Sequence, residues 1–396
     1  FGQYFIDKNG SGVLAYISNN SFVDGIIHRQ MRKHLLESFD KIYILDLHGN
    51  AKKKEVAPDG STDQNVFDIM QGVSINIFVK TGKKATGKLG EVFHLDLQGK
   101  RDFKYDYLSE NNLNLKKWNV LKPEVPNYYF VKKDFDNSGK YEKGFKIDDL
   151  FIDKGIGIKF RKDNLLVKNH FSENDVKQML LDINQLERPF ILKKYDFKET
   201  DDWTIDGKKK LFQIDDLKSI VKINYRPFDF RFTYYPLDKI SEIIPRGDSR
   251  KNLMKNIVLG SLGFICFRQS RNEDIGNFWI TNKAISKDII SALDSATLFP
   301  LYLYQIPNNQ QRIQEFETRT PNFNKEMLNQ IVEKLSLTFV AEREDGNVCF
   351  ANNNDELRDE FKSVFAPIDL LDYIYAVLHS PAYREKYKEF LKIDFP

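Results

Sequence analysis

The chain has 396 residues, 41% hydrophobic and 30% charged, which is enough apolar content to fill the cores of two domains or more and excludes wholesale disorder. Its 60 Lys+Arg stand against 57 Asp+Glu, a net charge of +3 that excludes a uniformly basic surface but not a basic face balanced by acidic surface elsewhere. Cys266 and Cys349 lie far apart with no His or Cys at ligand spacing, and no apolar run approaches the ~20 residues that span a bilayer, so a soluble, cytoplasmic protein without disulfides or a zinc site is expected.

Beginning at Phe1 without methionine and ending at Phe395-Pro396 directly after an apolar stretch, the chain reads as a piece of a longer polypeptide. Val13 to Ile17, bounded by Gly12 and polar residues, reads as a buried parallel strand. Asp24 to Phe39 reads as a crossover helix, with Ile27, Met31, Leu35 and Leu36 at helical spacing and Arg29, Arg32 and Lys33 on other faces. Lys41 to Leu47 and Gly72 to Val79 read as further strands, and the strand-helix-strand order predicts a largely parallel α/β sheet. Between them His48 to Gln64, Lys-rich and carrying Pro58-Asp59-Gly60, is predicted to be a mobile loop. Residues 80–90 mark a boundary, and 91–130 read as a connector containing a strand-like Phe93 to Leu97 and a helix-like Lys104 to Asn112. Residues 131–396 read as a mixed α+β domain closed by helices. Ser172 caps a helix through Leu186, and Phe264 to Phe267 forms a strand. Helices follow at Asn324 to Leu335, Asp355 to Phe365 and Ile368 to His379, and Ser380-Pro381 starts another.

Asn65-Val66-Phe67 places an aromatic between the polar loop and the strand Val73-Ser-Ile-Asn-Ile-Phe-Val79. Enzymes that modify a base draw it out of the duplex, and a flat side chain at the pocket rim offsets part of the lost stacking. Residue chemistry alone equally allows Phe67 to pack within its own turn. The block resembles that of adenine-N6 DNA methyltransferases, and the resemblance implies a Rossmann-like sheet whose C-terminal part lies in residues 1–90, with Phe67 stacking on the flipped adenine. The cofactor of that family, S-adenosylmethionine, needs a Gly-rich turn after a strand, and its chemistry needs an Asn/Asp-Pro-Pro-aromatic element. This chain has no Pro-Pro pair; Gly10-Ser-Gly12 precedes a strand, and Gly155-Ile-Gly157 lacks the flanks of a nucleotide loop. S-adenosylmethionine is therefore expected on the parent protein, with no cofactor-binding residue here. The six histidines show no ligand spacing: His28 and His34 do not share a helix face, and His379 precedes a helix break, so no metal site is expected.

Lys222 to Tyr235 is the densest aromatic and cationic block. Strand alternation puts Arg231 with Asp229, Thr233 and Tyr235 on one face and Phe230, Phe232 and Tyr234 on the other. Arg226 and Arg231 suit phosphate or guanine, although an Arg231–Asp229 pair inside the fold is the competing reading. Arg268, Gln269 and Arg271 leave a strand for a polar loop and suit base edges, whereas Arg246, Arg250 and Lys251 suit phosphates; each is also compatible with a solvated surface. This block, with Arg246 to Lys251, Gly263 to Arg271, Thr297 to Tyr304 and Asp372 to Arg384, resembles the C-terminal specificity domain of type ISP restriction-modification enzymes. The resemblance implies double-stranded DNA as partner and the upstream methyltransferase half, with helicase and nuclease domains, on the same polypeptide. The expected function is sequence recognition and flipped-base stacking within an adenine-specific DNA methyltransferase, the piece alone not being catalytic. The alternatives are a non-catalytic duplex-DNA specificity module and a scaffold whose aromatics are all core.

Overall fold

Alternating aliphatic residues draw the first part of the chain into one mixed sheet. The computed structural model describes residues 1–51, 55–85, 87–113, 117–133, 138–268, 278–290, 295–305, 319–342, 363–392 and 394–396. The chain divides into two units, Phe1–Asp136 and Asn137–Pro396. The first unit contains α1 (Gly2–Asn9), β1 (Gly12–Asn19), α2 (Arg29–Ser38), β2 (Lys41–Asp46), β3 (Val73–Lys80), β4 (Glu91–Asp96), α3 (Arg101–Glu110) and β5 (Asn119–Leu121). Its five strands lie in the order β1-β3-β2-β4-β5.

The sheet is not largely parallel. β3 runs antiparallel to both β1 and β2, β5 runs antiparallel to β4, and β2 with β4 is the parallel pair. Strand-helix-strand order fixes that β1 and β2 run the same way, but it does not make them neighbours. The long β2–β3 connection brings β3 back between them. The stretch read as a connector contributes β4 and β5 to the same sheet, and Val92 of β4 is buried with Ile42 and Phe78. β1 is an edge strand with Val13, Tyr16 and Ile17 exposed, in contrast to the buried strand expected.

α2 buries a different stripe from the one its apolar spacing suggests. Leu35 and Leu36 enter the core, while Ile27 and Met31 are exposed and Arg32 is fully buried. Its guanidinium is tolerated there because Nη1 donates to the carbonyls of Phe22 and Gly25 (2.7 Å each), Nη2 to Asn127 (2.6 Å) and Nε to Tyr128 (2.9 Å). Burial pulls its pKa down to about 10, still charged at neutral pH.

The second unit holds β6 (Gly155–Ile156), α4 (Glu173–Gln185), β7 (Ile220–Arg226), β8 (Asp229–Tyr234), α5 (Lys251–Val258), β9 (Gly263–Cys266), β10 (Trp279–Thr281), β11 (Ala284–Ile285), β12 (Thr297–Pro300), β13 (Tyr302–Tyr304), β14 (Arg319–Pro321), α6 (Lys325–Leu335), β15 (Thr338–Phe339), β16 (Val364–Phe365), α7 (Pro367–His379) and α8 (Pro381–Lys386), besides a helix over Arg188–Tyr195 and shorter helical turns. Small sheets β10-β9-β12-β6 and β11-β7-β8 dominate it. One core gathers α4, α5 and the β7–β8 hairpin; a second gathers β9, β12, α6 and α7. Ser172 and Asp175 form the capping box of α4, with the Ser172 amide donating to Asp175 Oδ2 at 2.8 Å. Ser380 caps α8. The helix expected over Asp355 to Phe365 falls mostly outside the described residues, and its end is not helical: Val364–Phe365 is β16, paired parallel to β15. Among the described residues no helix is long and apolar enough to cross a membrane.

Candidate nucleic-acid interface

Among its described residues, the connection between β2 and β3 is closed by polar side chains. Asn65 donates through Nδ2 to the carbonyls of Gly49 (3.0 Å) and Gln71 (2.6 Å), and its Oδ1 accepts the Phe67 amide at 2.9 Å. Val66 turns inward against Leu45, Leu47, Val73 and Leu97. Its neighbour Phe67 points outward and is 42% exposed. Gly49, at φ 79°, lets this closure happen, because a Cβ there would sit 2.4 Å from the Asn65 Cα. Arg101 of α3 donates through Nε to the Asn65 carbonyl (2.8 Å) and through Nη2 to the Phe67 carbonyl (3.2 Å), and pairs with Asp68 at 2.7 Å. Phe67, Ile69, Met70 and Arg101 thus line an open hollow of about 570 Å³ whose floor includes Asp63 and Asn65.

The β7–β8 hairpin is the corresponding feature of the second unit. Its tip presents Phe228, 92% exposed in a left-handed backbone conformation (φ 58°), and Phe230 is exposed beside it. The Lys222 ammonium lies 5.0 Å from the Phe230 ring centre. Sequence reading named the arginines of this block and passed over Phe228; the signal available was an aromatic following Arg226-Pro227 at a tight turn.

The arginines divide by what already holds them. Arg231 is committed within the fold: it pairs with Asp229 at 2.7 Å and stacks 3.7 Å from the Phe171 ring centre, which is the structural alternative the sequence left open. Arg226 stacks on Tyr225 and donates to the Tyr225 carbonyl (2.7 Å) and Ser286 Oγ (3.2 Å), but stays half-buried at the hairpin tip. Arg246 meets Asp202 at 2.7 Å with 60% of its side chain exposed, and Arg268 meets Asp394 at 3.1 Å with 69% exposed. Such exposed pairs contribute little, so a phosphate or base edge can displace the carboxylate. Arg250 precedes α5 in a left-handed conformation, its Nε buried without a hydrogen-bond partner, and no side chain caps that helix end, where Lys251 is the first residue. Gln269 and Arg271 lie outside the described residues.

Among the described residues, neither glycine pair has the setting of an S-adenosylmethionine loop. Gly10 ends α1 and leads into β1, and Gly155 lies within β6, so neither glycine pair follows a strand and opens a helix. Histidines and carboxylates do converge once among the described residues, at Asp46, His94 and Asp96. Spacing along the chain hides this group, since the β2–β4 register creates it.

The family model of the type ISP C-terminal specificity domain matches residues 149–396. Three solved structures share the fold over 98% of this chain: the ATP-dependent type ISP restriction-modification enzyme LlaBIII bound to DNA (22% identity, TM-score 0.64), a DrdV–DNA complex (20%, 0.62), and a nuclease-deletion mutant of the type ISP enzyme LlaGI with a DNA substrate mimic (19%, 0.58). The chain spans 24%, 36% and 28% of their respective lengths. No curated protein matches it in sequence.

Proposed function

The chain belongs to the type ISP C-terminal specificity domain family, and from that membership we propose that its second unit recognises duplex DNA sequence for a restriction-modification polypeptide. The family match over residues 149–396 carries this reading, and the exposed hairpin tip with displaceable arginines supports it. Arg246, Arg250 and Lys251 meet phosphates, with the uncapped start of α5 adding its amide donors. Arg226 and Phe228 approach the duplex at the hairpin tip. Arg268, with Gln269 and Arg271, reads base edges. Arg231 acts less directly, holding the hairpin through Asp229 and Phe171.

These roles separate in binding measurements on duplexes of varied sequence. Arg246→Ala is expected to weaken binding to all duplexes alike and to lower the salt slope by about 1, while Arg268→Ala relaxes discrimination at particular base pairs by about 1–3 kcal/mol. Uniform weakening by Arg268→Ala would make it a phosphate contact instead.

The first unit, in this reading, is the C-terminal part of a Rossmann-like adenine-N6 methyltransferase domain. S-adenosylmethionine and the catalytic tetrapeptide then belong to upstream sequence. Phe67, outward-facing on a braced loop, is the platform for the flipped adenine. In the parent enzyme Phe67→Ala is expected to remove about 1–3 kcal/mol of stacking, seen as less fluorescence from a base analogue at the target adenine and slower methylation. Unchanged fluorescence and rate would rule out the stacking role.

A further inference from the structure

His94 is the least satisfied polar side chain beside the sheet. It is 1% exposed, and neither ring nitrogen has a hydrogen-bond partner. Buried imidazoles without partners are rare, because desolvating a polar group without replacing its bonds is costly.

What surrounds it explains the position. Parallel register aligns Asp46, the last residue of β2, with Asp96, the last residue of β4. His94 lies two residues before Asp96 and shares its strand face. Its Nδ1 is 3.6 Å from Asp96 Oδ2, and ligand atoms of Asp46, His94 and Asp96 all lie within 4.8 Å of one another. Ligands on a tetrahedral ion with bonds near 2.0–2.1 Å sit about 3.4 Å apart, so small side-chain adjustments close the set.

The carboxylates are themselves oriented. Asp46 Oδ1 accepts from Asn20 Nδ2 (2.8 Å) and from the His48 amide (3.0 Å), and Asp96 Oδ1 lies 2.8 Å from His48 Nε2. This leaves Oδ2 of Asp96 turned toward His94. Hydrogen bonds of this kind hold carboxylate ligands in metal sites. Asp96, with 48% of its side chain exposed, gives an ion access from solvent.

We propose that Asp46, His94 and Asp96 bind a divalent transition-metal ion of the zinc type, with Asn20 and His48 orienting the carboxylates. One imidazole with two carboxylates suits zinc or manganese better than magnesium or calcium, which favour all-oxygen shells. The ion ties the end of β2 to β4 at the root of the loop that carries Phe67, since His48-Gly49 begins that loop and Gly49 abuts Asn65. The inference stands apart from DNA recognition, since the test reads metal binding without DNA.

The test is calorimetric titration of zinc into the 396-residue chain freed of metal by chelation, with magnesium as comparison. One saturable equivalent of zinc is expected, together with a higher Tm. Asp96→Asn and His94→Gln should each weaken affinity by about ten-fold or more, and His48→Ala by about ten-fold. Should His94→Gln fail to fold, the half-exposed Asp96→Asn decides alone. No saturable zinc binding, affinity unchanged in Asp96→Asn, or equal affinity for magnesium overturns the proposal.

Discussion

Lys104→Met is expected to cost the first unit about 3–5 kcal/mol, the range for removing one partner of a buried ion pair. Lys104 and Asp63 have no side-chain exposure and meet at 2.9 Å. The ammonium also donates to the carbonyls of Leu47 and Gln64, at 2.7 Å each. Asp63 in turn accepts the amides of Gly49 and Gly99, both at 2.6 Å. The pair therefore joins α3 to the start of the loop that presents Phe67 and to the residues just before Phe67. Methionine keeps the apolar stem and removes only the charge, so the loss comes from a carboxylate left unpaired in the interior. Urea unfolding measures the cost, and hydrogen exchange at Gly49 and Gly99 should quicken with it. Adding Asp63→Asn to Lys104→Met should recover part of the stability, because the stranded charge is then gone. A loss below about 1 kcal/mol would mean that water reaches Asp63 and that the loop is braced elsewhere.

Arg32→Met should have a comparable effect. The guanidinium serves the carbonyls of Phe22, Gly25, Asn127 and Tyr128. Each buried carbonyl stripped of its donor costs about 1–3 kcal/mol, and partial relaxation brings the expected total to about 3–5 kcal/mol. Arg32→Lys should recover little, since one ammonium cannot reproduce the planar fork that reaches both sides of the site. Thermal unfolding of both variants checks this, and full recovery by lysine would contradict the fork argument.

Arg32 also shows where sequence reading stops. Apolar periodicity located α2 but placed Ile27 and Met31 inward and Arg32 outward, because the pattern contains no information about the carbonyls that converge on that face. β2 and β3 were legible from their aliphatic runs, whereas the insertion of β3 between β1 and β2 depends on long-range pairing. The caps at Ser172 and Ser380 were legible because capping is local. For the candidate site, the sequence singled out Phe67 but not the direction in which it or Val66 faces, and Lys104 and Asp63 lie 41 residues apart and meet only through the fold. Asp46-Leu47-His48 and His94-Leu95-Asp96 hold the same residue types in reverse order, and only the β2–β4 register brings them together. At the hairpin, alternation placed Arg231 beside Asp229, as observed, yet could not say that the tip would expose Phe228.

Recognition of duplex DNA is tested most directly by fluorescence anisotropy of a labelled duplex titrated with the folded chain at two salt concentrations. Each phosphate contact lowers log K by about 0.9 per decade of salt, so three to four contacts by Arg226, Arg246, Arg250 and Lys251 should weaken binding about 40- to 150-fold between roughly 50 and 200 mM. A folded chain that binds no duplex, or binds it with no dependence on salt, would contradict the account.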